Sequence, residues 1–438
     1  MYLDRGSINF RRKRRNNLNR IVFYLVLIAI GLYFVRQAQS GEIEPIFVPT
    51  PTATRSPASY AEEGEAHFSS GRLGDAISAY EQATRLAPTT VEYWINMARF
   101  QVYADMPEQA LETADTAVLI EPDNSMAHAV RALALDWIGE YEEATNAAVR
   151  AIQLDANNSL AHAYYSEILA DTQRWAQSGD EAQLALSLNP NSMDVQRANG
   201  YYLENVGAYA EAILAYQAAA TINPNLALLY MRLGLNYRVL QEYETALEYF
   251  QRASALTPEE TLPYLSISRT YFQVGEYGRS AQYLESALEL EPSNPDIYGR
   301  LGLVYFRALN YEGAEIELEC AIKGCRHPER NTVVEPLSLS QGTLEYFYTF
   351  ASVKAAYLKC DEAFPILNQV LAFATDNEIV QGIVEENRNI CATADAPVAS
   401  AEGTPADGTV IPAEATPAAE GTQSAPAAPP TETPAATP

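Results

Sequence analysis

Apolar and small side chains recur with a period of 34 residues along most of this 438-residue chain. In the stretch YETALEYFQRASALTPEE, residues 243–260, an alanine, a phenylalanine, a second alanine and a proline stand 4, 3 and 5 positions apart. The same order, with tyrosine for phenylalanine, occurs 34 residues earlier at Ala212, Tyr216, Ala219 and Pro224. A fixed period of this length indicates a repeat protein, in which one small structural unit is copied along the chain.

Eight copies of a 34-residue unit fit the sequence without a gap from Pro57 onward, and we number the places within each unit from 1 to 34. Places 8, 20 and 27 hold only glycine, alanine or serine in all eight copies, and place 32 is proline in six of them. The pattern predicts two amphipathic helices per unit, a turn between them, and a stop at the proline. Because one such pair cannot bury its apolar face alone, we expect the pairs to stack into an all-α solenoid.

One copy of the unit resembles the tetratricopeptide repeat, whose pattern runs aromatic, Leu-Gly, Tyr, Ala, Phe, Ala, Pro. The matching residues are Tyr230, Leu233, Gly234, Tyr237, Ala246, Phe250, Ala253 and Pro258. The resemblance covers residues 58–322 in frame. It implies a right-handed superhelical solenoid of helix pairs, whose first helices line a concave groove.

The frame places units one to eight at residues 58–326 and a displaced ninth unit after an insertion. The insertion, residues 327–343, contains proline and glycine and predicts a polar loop. Residues 344–392 hold the ninth unit and a charged capping helix, expected from about Asn377 to Cys391. Residues 393–438 are mostly Ala, Pro, Thr, Glu and Gly, a composition that predicts a disordered tail.

The N-terminal part of the chain has a different pattern. Residues 1–20 form a basic segment, and residues 21–36 are an apolar run that ends at Arg36. The run predicts a transmembrane signal-anchor helix, and the Pro/Thr-rich residues 41–57 predict an extended linker. Because basic flanks stay in the cytoplasm, we expect a single-pass protein of the cell membrane whose repeats and C-terminus are extracytoplasmic. The alternative is a signal peptide cleaved near Ser40, which would make the repeats secreted.

The distribution of charge restricts the class of partner. The whole chain carries a net charge of −27, but residues 1–40 hold eight basic side chains and one acidic one. Residues 41–438 therefore carry −34. A body this acidic repels phosphate backbones, so we expect no nucleic-acid partner and predict a protein or peptide instead.

No motif in the sequence predicts catalysis. A phosphate-binding glycine loop, a His-Glu-x-x-His pair and a serine nucleophile motif are all missing from the sequence, so we predict neither an enzyme nor a cofactor. His128 and His162 are 34 residues apart, but both occupy place 4, where packing between helices is the better interpretation. Cys320, Cys325 and His327 lack a fourth ligand for zinc, so we predict no metal site.

The four cysteines suggest disulfide bonds. Cys360 occupies place 17, which holds an aromatic residue in six other units, and Cys391 lies about one unit later. Equivalent places in stacked units are neighbours, so a Cys360–Cys391 bridge would attach the capping helix, as is common outside the cytoplasm. Cys320 and Cys325 are the other two candidates, and the connectivity stays open at this point.

The predicted groove carries arginine and no lysine, since lysine is absent from residues 14–322. Six arginines in the first helices of units five to eight avoid the packed places and so share the groove-facing side. We predict a partner site formed by them and two phenylalanines: Arg197, Arg232, Arg238, Arg269, Arg300, Arg307, Phe272 and Phe306. The alternative is that the arginines only pair with acids on the same face, namely Asp194, Glu204 and Asp296.

These features predict a membrane-tethered, extracytoplasmic scaffold that binds a protein or peptide in its groove and does no chemistry. Arginine forks favour a partner with an acidic segment. The alternative function is an accessory chaperone of the envelope that binds many unfolded clients, which apolar groove residues such as Leu228, Met231 and Leu235 would favour. The partner's identity and the oligomeric state stay open.

Overall fold

The computed structural model describes residues 18–39 and 55–394, and its contacts divide the chain into two units, residues 1–56 and 57–438. The predicted basic segment, nearly all of the linker and the tail after residue 394 lie outside the described residues.

The described part of the N-terminal unit contains one long helix, α1 (Leu18–Gln39). Its residues 18–37 have a mean hydropathy of 2.1, and none of that stretch is buried. The helix is longer than the predicted 21–36, and 22 residues at 1.5 Å each span about 33 Å, close to the hydrocarbon core of a bilayer. By length and composition α1 can cross a membrane, and a signal sequence has the same properties.

The second unit is built from consecutive helix pairs, which confirms the all-α solenoid. The two helices of each pair pack on each other, and each second helix packs on the first helix of the next pair. The pairs of units one to nine are α2 (Pro57–Ser69) with α3 (Leu73–Leu86), α4 (Val91–Tyr103) with α5 (Pro107–Ile120), α6 (Ser125–Ile138) with α7 (Tyr141–Leu154), α8 (Ser159–Asp171) with α9 (Trp175–Leu188), α10 (Met193–Asn205) with α11 (Tyr209–Ile222), α12 (Ala227–Val239) with α13 (Tyr243–Leu256), α14 (Thr261–Gln273) with α15 (Tyr277–Leu290), α16 (Pro295–Arg307) with α17 (Tyr311–Lys323), and α18 (Leu344–Ala356) with α19 (Cys360–Phe373).

Small residues allow the two helices of a pair to approach closely. In unit six, a Cβ placed on Gly234 would lie 2.5 Å from the ring of Phe250, so nothing larger than glycine fits without a shift. Ala246 and Ala253 are fully buried on the facing helix. Close packing of this kind explains why places 8, 20 and 27 are restricted to small side chains.

A left-handed residue at place 15 ends every first helix of the nine units. The backbone N–H of place 16 then donates to the carbonyl of place 11, the long-range bond of a Schellman motif, as in Glu242 N to Tyr237 O at 2.9 Å. Only four of these positions are glycine, so the turn was not visible in the sequence pattern. The place-15 residues are Gly71, Asp105, Gly139, Gln173, Gly207, Gln241, Gly275, Leu309 and Leu358.

Place 4 donates a hydrogen bond to the loop before its own helix. Tyr230 Oη lies 2.8 Å from the carbonyl oxygen of Pro224, six residues earlier. His128 Nε2 and His162 Nε2 make the same contact, 2.8 Å from the Pro122 oxygen and 3.0 Å from the Ala156 oxygen. The two histidines therefore share a structural role with the tyrosines of other units.

The C-terminal end departs from the regular repeat. The insertion is not only a loop: within it, β2 (Val333–Val334) pairs antiparallel with β1 (Cys325–Arg326), which directly precedes the predicted insertion. The capping helix α20 (Glu378–Ala394) packs on α18 and α19. The sulfur atoms of Cys360 and Cys391 lie 2.05 Å apart and those of Cys320 and Cys325 lie 1.94 Å apart, so each pair is at disulfide distance.

Candidate partner-binding groove

The first half of the array closes on itself. The first helices of units two to five contact one another directly, α4 with α6, α6 with α8 and α8 with α10. Units one and two thereby reach units five and six: Asn225 Nδ2 donates to the Ser69 carbonyl at 2.8 Å, across 156 residues. Phe68 and Tyr103 share one apolar cluster with Tyr216 and Leu229. The concave side of these units is consequently filled by the protein's own side chains.

A buried polar network lies at this closure. Asp194 accepts hydrogen bonds from Tyr103 and, at 3.0 Å, from Tyr164, and it forms an ion pair with Arg99 at 3.7 Å. Arg197 donates two hydrogen bonds to Glu167, at 2.8 and 2.7 Å. Burial raises the pKa of the Glu167 carboxyl, and the Arg197 charge only partly offsets this. Such a paired, desolvated network holds the first helices together.

Two predicted groove residues therefore have internal partners. Arg197 is only 4% exposed and its guanidinium is occupied by Glu167, so it is removed from the candidate site. Arg232 Nη1 donates to Glu204 Oε1 at 3.2 Å, and its guanidinium lies 5.1 Å from the centre of the Tyr201 ring. For these arginines the internal-pairing alternative describes the geometry.

From unit six onward, the first helices α12, α14 and α16 carry four arginines: Arg238, Arg269, Arg300 and Arg307. We call these four residues the arginine row. Arg238 lies over the Phe250 ring at 5.7 Å, and its Nη1 is buried with no hydrogen-bond partner among the described residues. Arg300 Nε donates to Asp296 Oδ2 at 2.7 Å, so the internal-pairing alternative also describes this arginine and its charge is partly compensated.

Members of the arginine row are close enough to affect one another's pKa. Burial, and then the charge of Arg269, lowers the pKa of Arg238 to about 10. Burial, and then the charge of Arg300, lowers the pKa of Arg269. At the far end, the Arg307 charge opposes the rise that burial causes in the pKa of Glu345. The row is a locally positive strip in an acidic protein.

The apolar members of the predicted site contribute less surface than expected. Phe272 and Phe306 are partly buried against Tyr277 and Tyr311 of their own units, with ring centres 5.6 Å apart in both pairs. Met231 in α12 is buried, whereas Leu262 at the start of α14 is 60% exposed. The open part of the groove combines arginines with a few exposed apolar edges.

Sequence reasoning missed the residues that fill the closed part, above all Arg99, Tyr103, Asp136, Glu167 and Asp171. The sequence did contain an indication of these residues. Arg99 and Glu167 occupy place 9 and Tyr103 occupies place 13, and the arginine row uses the same two places. Acids and aromatics at groove-facing places indicate partners for neighbouring arginines. The sequence pattern alone did not predict which acid or aromatic residue contacts which arginine.

The residues of the discarded zinc site lie together but are otherwise engaged. Cys320 and Cys325 are within disulfide distance of each other. The ring of His327 is buried, and its Nδ1 accepts hydrogen bonds from the backbone N–H groups of Glu329 and Arg330 at 3.3 and 3.1 Å. His327 Nε2 and Arg330 Nη1 also lie 3.3 and 3.1 Å from Glu317 of α17, and these contacts hold the hairpin against unit eight.

Three parts of the sequence match family models described as tetratricopeptide repeat or TPR repeat, at residues 67–134, 227–260 and 269–308. The helix pairs and the place-by-place pattern agree with those matches. The chain is a tetratricopeptide repeat (TPR) protein. A search of curated proteins finds no match to this TPR protein.

Solved structures of similar fold come from several sources. Human IFIT1, solved as a dimer with PPP-AAAA, is 15% identical, with a TM-score of 0.51 over 79% of this TPR protein and 92% of that chain. PilF of Pseudomonas aeruginosa is 19% identical, with a TM-score of 0.39 over 44% and 90% of the two chains. PilW, described as a type IV pilus biogenesis factor, is 19% identical, with a TM-score of 0.41 over 45% and 92%. At 15% identity the likeness to IFIT1 concerns the fold alone.

Proposed function

We propose that this TPR protein is a membrane-tethered, extracytoplasmic scaffold that holds a protein or peptide partner with an acidic segment and performs no catalysis. The arginine row, whose four members are all partly exposed, is the observation that carries the proposal. TPR proteins generally bind protein partners. The tether is α1, and two cysteine pairs at disulfide distance support a location outside the cytoplasm.

The chemistry of the row favours carboxylates. A guanidinium presents a planar fork of N–H donors that matches a carboxylate, and such charge-assisted bonds are about twice as strong as neutral ones. Arg238 and Arg269 repel their neighbours in the row, so an anionic ligand relieves this repulsion. Exposed apolar side chains such as Leu262 suit a ligand that mixes acidic and apolar residues.

The test removes three positive charges from the row and compares the effect on ligand binding with that of removing three positive charges elsewhere. The groove variant is Arg269→Gln, Arg300→Gln and Arg307→Gln, and Arg232 is kept because its loss would strand Glu204. The control is Arg150→Gln, Arg252→Gln and Arg279→Gln, all on second helices. A fluorescein-labelled peptide rich in glutamate, with interspersed leucine, serves as the probe after helicity has been checked.

We expect the groove variant to bind the probe at least roughly tenfold more weakly at low salt, since each lost charge-assisted bond is worth about 1.5–3 kcal/mol. The control should stay within about threefold of the native protein, and added salt should slow association most in the native protein. Equal binding by the groove variant and the native protein, at low and high salt, would eliminate the row as a ligand site.

The same variants distinguish a scaffold from a chaperone. In a pull-down from the native cell envelope, one stoichiometric partner that the groove variant loses and the control retains supports the scaffold. A crowd of clients retained by all three proteins indicates the chaperone. Burial of Met231 leaves that alternative with less apolar groove surface than the sequence predicted.

A further inference from the structure

The segment that follows the capping helix has a one-sided charge. Residues 395–438 contain six acidic side chains and no basic one, set among alanine, proline, threonine and glycine. The segment lies outside the described residues, but its composition is known from the sequence. The acids are Asp395, Glu402, Asp407, Glu414, Glu420 and Glu432.

We propose that residues 395–438 of the same chain occupy the arginine row when no partner is bound, so that a partner must displace them. This inference rests on the proposed function, because it names the competitor for the same site. The segment acts as an internal, low-affinity ligand of the row. Because it competes with a partner for the same arginines, only a partner of higher affinity can displace it.

Charge complementarity selects the row as the place where this segment binds. The repeats are acidic as a whole, so most of their surface repels it. The lysines near the ninth unit are compensated, as Lys354 Nζ lies 2.6 Å from Glu315 and 2.9 Å from Glu362. In contrast, Arg238 Nη1 has no hydrogen-bond partner among the described residues, and burial and its neighbour's charge lower its pKa.

The segment begins close enough to reach the row. It starts after α20, which packs on α18, and α18 in turn contacts α16, the helix that carries Arg300 and Arg307. Packed helices lie about 8–10 Å apart, so the path crosses about two helix spacings. The random-coil relation gives 44 residues an end-to-end distance of about 35–40 Å.

Attachment to the array makes a weak interaction effective. A flexible link of suitable length gives an effective concentration in the millimolar range. A segment that binds the row with a dissociation constant of a few hundred micromolar then reduces the apparent affinity of a competitor by about three- to tenfold. The effect depends on charge and therefore decreases as salt is added.

The first measurement uses the full chain in detergent and a variant in which the six acids of residues 395–438 become asparagine or glutamine. Length is unchanged, so only the charge of the segment differs. We expect the neutralised variant to bind the glutamate-rich probe about three- to tenfold more tightly at low salt, with faster association. At high salt the two proteins should bind the probe equally.

The second measurement needs no probe. A glutamate-specific protease should cleave at Glu402, Glu414, Glu420 and Glu432 more slowly in the native protein at low salt than at high salt. The variant with Arg269→Gln, Arg300→Gln and Arg307→Gln should lose this protection. The control with Arg150→Gln, Arg252→Gln and Arg279→Gln should keep it.

The outcomes separate the two proposals. Probe binding that is unchanged by neutralising the segment, together with cleavage that is equal in all arginine variants, overturns the inference and leaves the scaffold standing. Protection that requires the row, with no probe binding by any form, supports the inference and counts against an acidic partner. Loss of both effects overturns both.

Discussion

Arg197 and Glu167 illustrate how burial changes the meaning of a charged residue. On the sequence, Arg197 belongs with the other groove arginines, but its side chain is enclosed and bonded to Glu167. A guanidinium in that position cannot bind an external carboxylate without abandoning a buried acid. It stabilises the contact between α8 and α10 instead.

Replacing Arg197 by Met should therefore destabilise the array strongly. Removing one partner of a buried ion pair leaves an uncompensated charge and typically costs about 3–5 kcal/mol. Arg150→Met is the matched control, because Arg150 pairs with Asp123 at 2.8 Å where both side chains are exposed, and we expect less than about 1 kcal/mol there. Urea unfolding followed by circular dichroism measures both losses.

Adding Glu167→Gln to Arg197→Met should restore part of that stability, because the stranded charge is then gone. Equal, small effects of Arg197→Met and Arg150→Met would contradict the view that this pair is a buried structural contact.

The capping helix α20 shows how a terminal element is attached to a repeat array. It covers the apolar side of the ninth unit, with Val380 and Val384 buried against α18 and α19. Cys391 lies near its C-terminal end and is at disulfide distance from Cys360 at the start of α19. A covalent link at that point restrains an element that has only one neighbouring unit.

Cys391→Ser should lower the midpoint of thermal unfolding of the oxidised protein and leave that of the reduced protein nearly unchanged. The two cysteines are 31 residues apart, for which the chain-entropy model gives about 3–4 kcal/mol. Cys325→Ser is the comparison, because its partner is 5 residues away and the same model gives only about 2 kcal/mol. Labelling of free thiols at Cys360 and Cys391 in protein isolated without reductant would argue against the bridge.

Closure of the first six units determines which part of the groove is open. The turn after α2 lies against the loop before α12, where Asn225 bonds to the Ser69 carbonyl. Gly71 in this turn has φ +79°, and a Cβ there would collide with the Asn225 carbonyl oxygen. The contact therefore depends on a glycine for two separate reasons.

Gly71→Asn should loosen the closure, and Gly275→Asn should not. Both glycines occupy place 15 with φ +79°, so the two substitutions carry the same backbone strain, but Gly275 faces open space. We expect faster hydrogen exchange in α2 and α3 for Gly71→Asn alone, with helicity retained. Identical exchange in the two variants would show that the closure does not depend on this contact.

Membrane topology gives a further prediction. The basic residues before α1 predict that residues 41–438 are exported. Protease added to cells with a permeabilised outer barrier should digest the repeats and spare a tag at the N-terminus. A control with lysed cells should lose both, and protection of the repeats in unlysed cells would refute export.

The amino-acid sequence by itself determined the helix pairs, because each pair depends on local features. Small residues recur at places 8, 20 and 27 of all eight regular units, and proline recurs at place 32 of six. The helix α18 begins at Leu344, the residue where the frame placed the ninth unit. The left-handed turn at place 15 could not be predicted from the sequence pattern. Residues as different as Gly71 and Leu309 adopt this conformation once the Schellman hydrogen bond forms.

Only the tertiary structure decided which arginines are enclosed and which stay partly exposed. Small rotations between successive units add up until units one and two meet units five and six, and no single 34-residue period contains that sum. The Asn225–Ser69 contact joins residues 156 positions apart. Arg197 is enclosed by this closure and Arg269 lies beyond it, although both have a groove-facing place in the sequence.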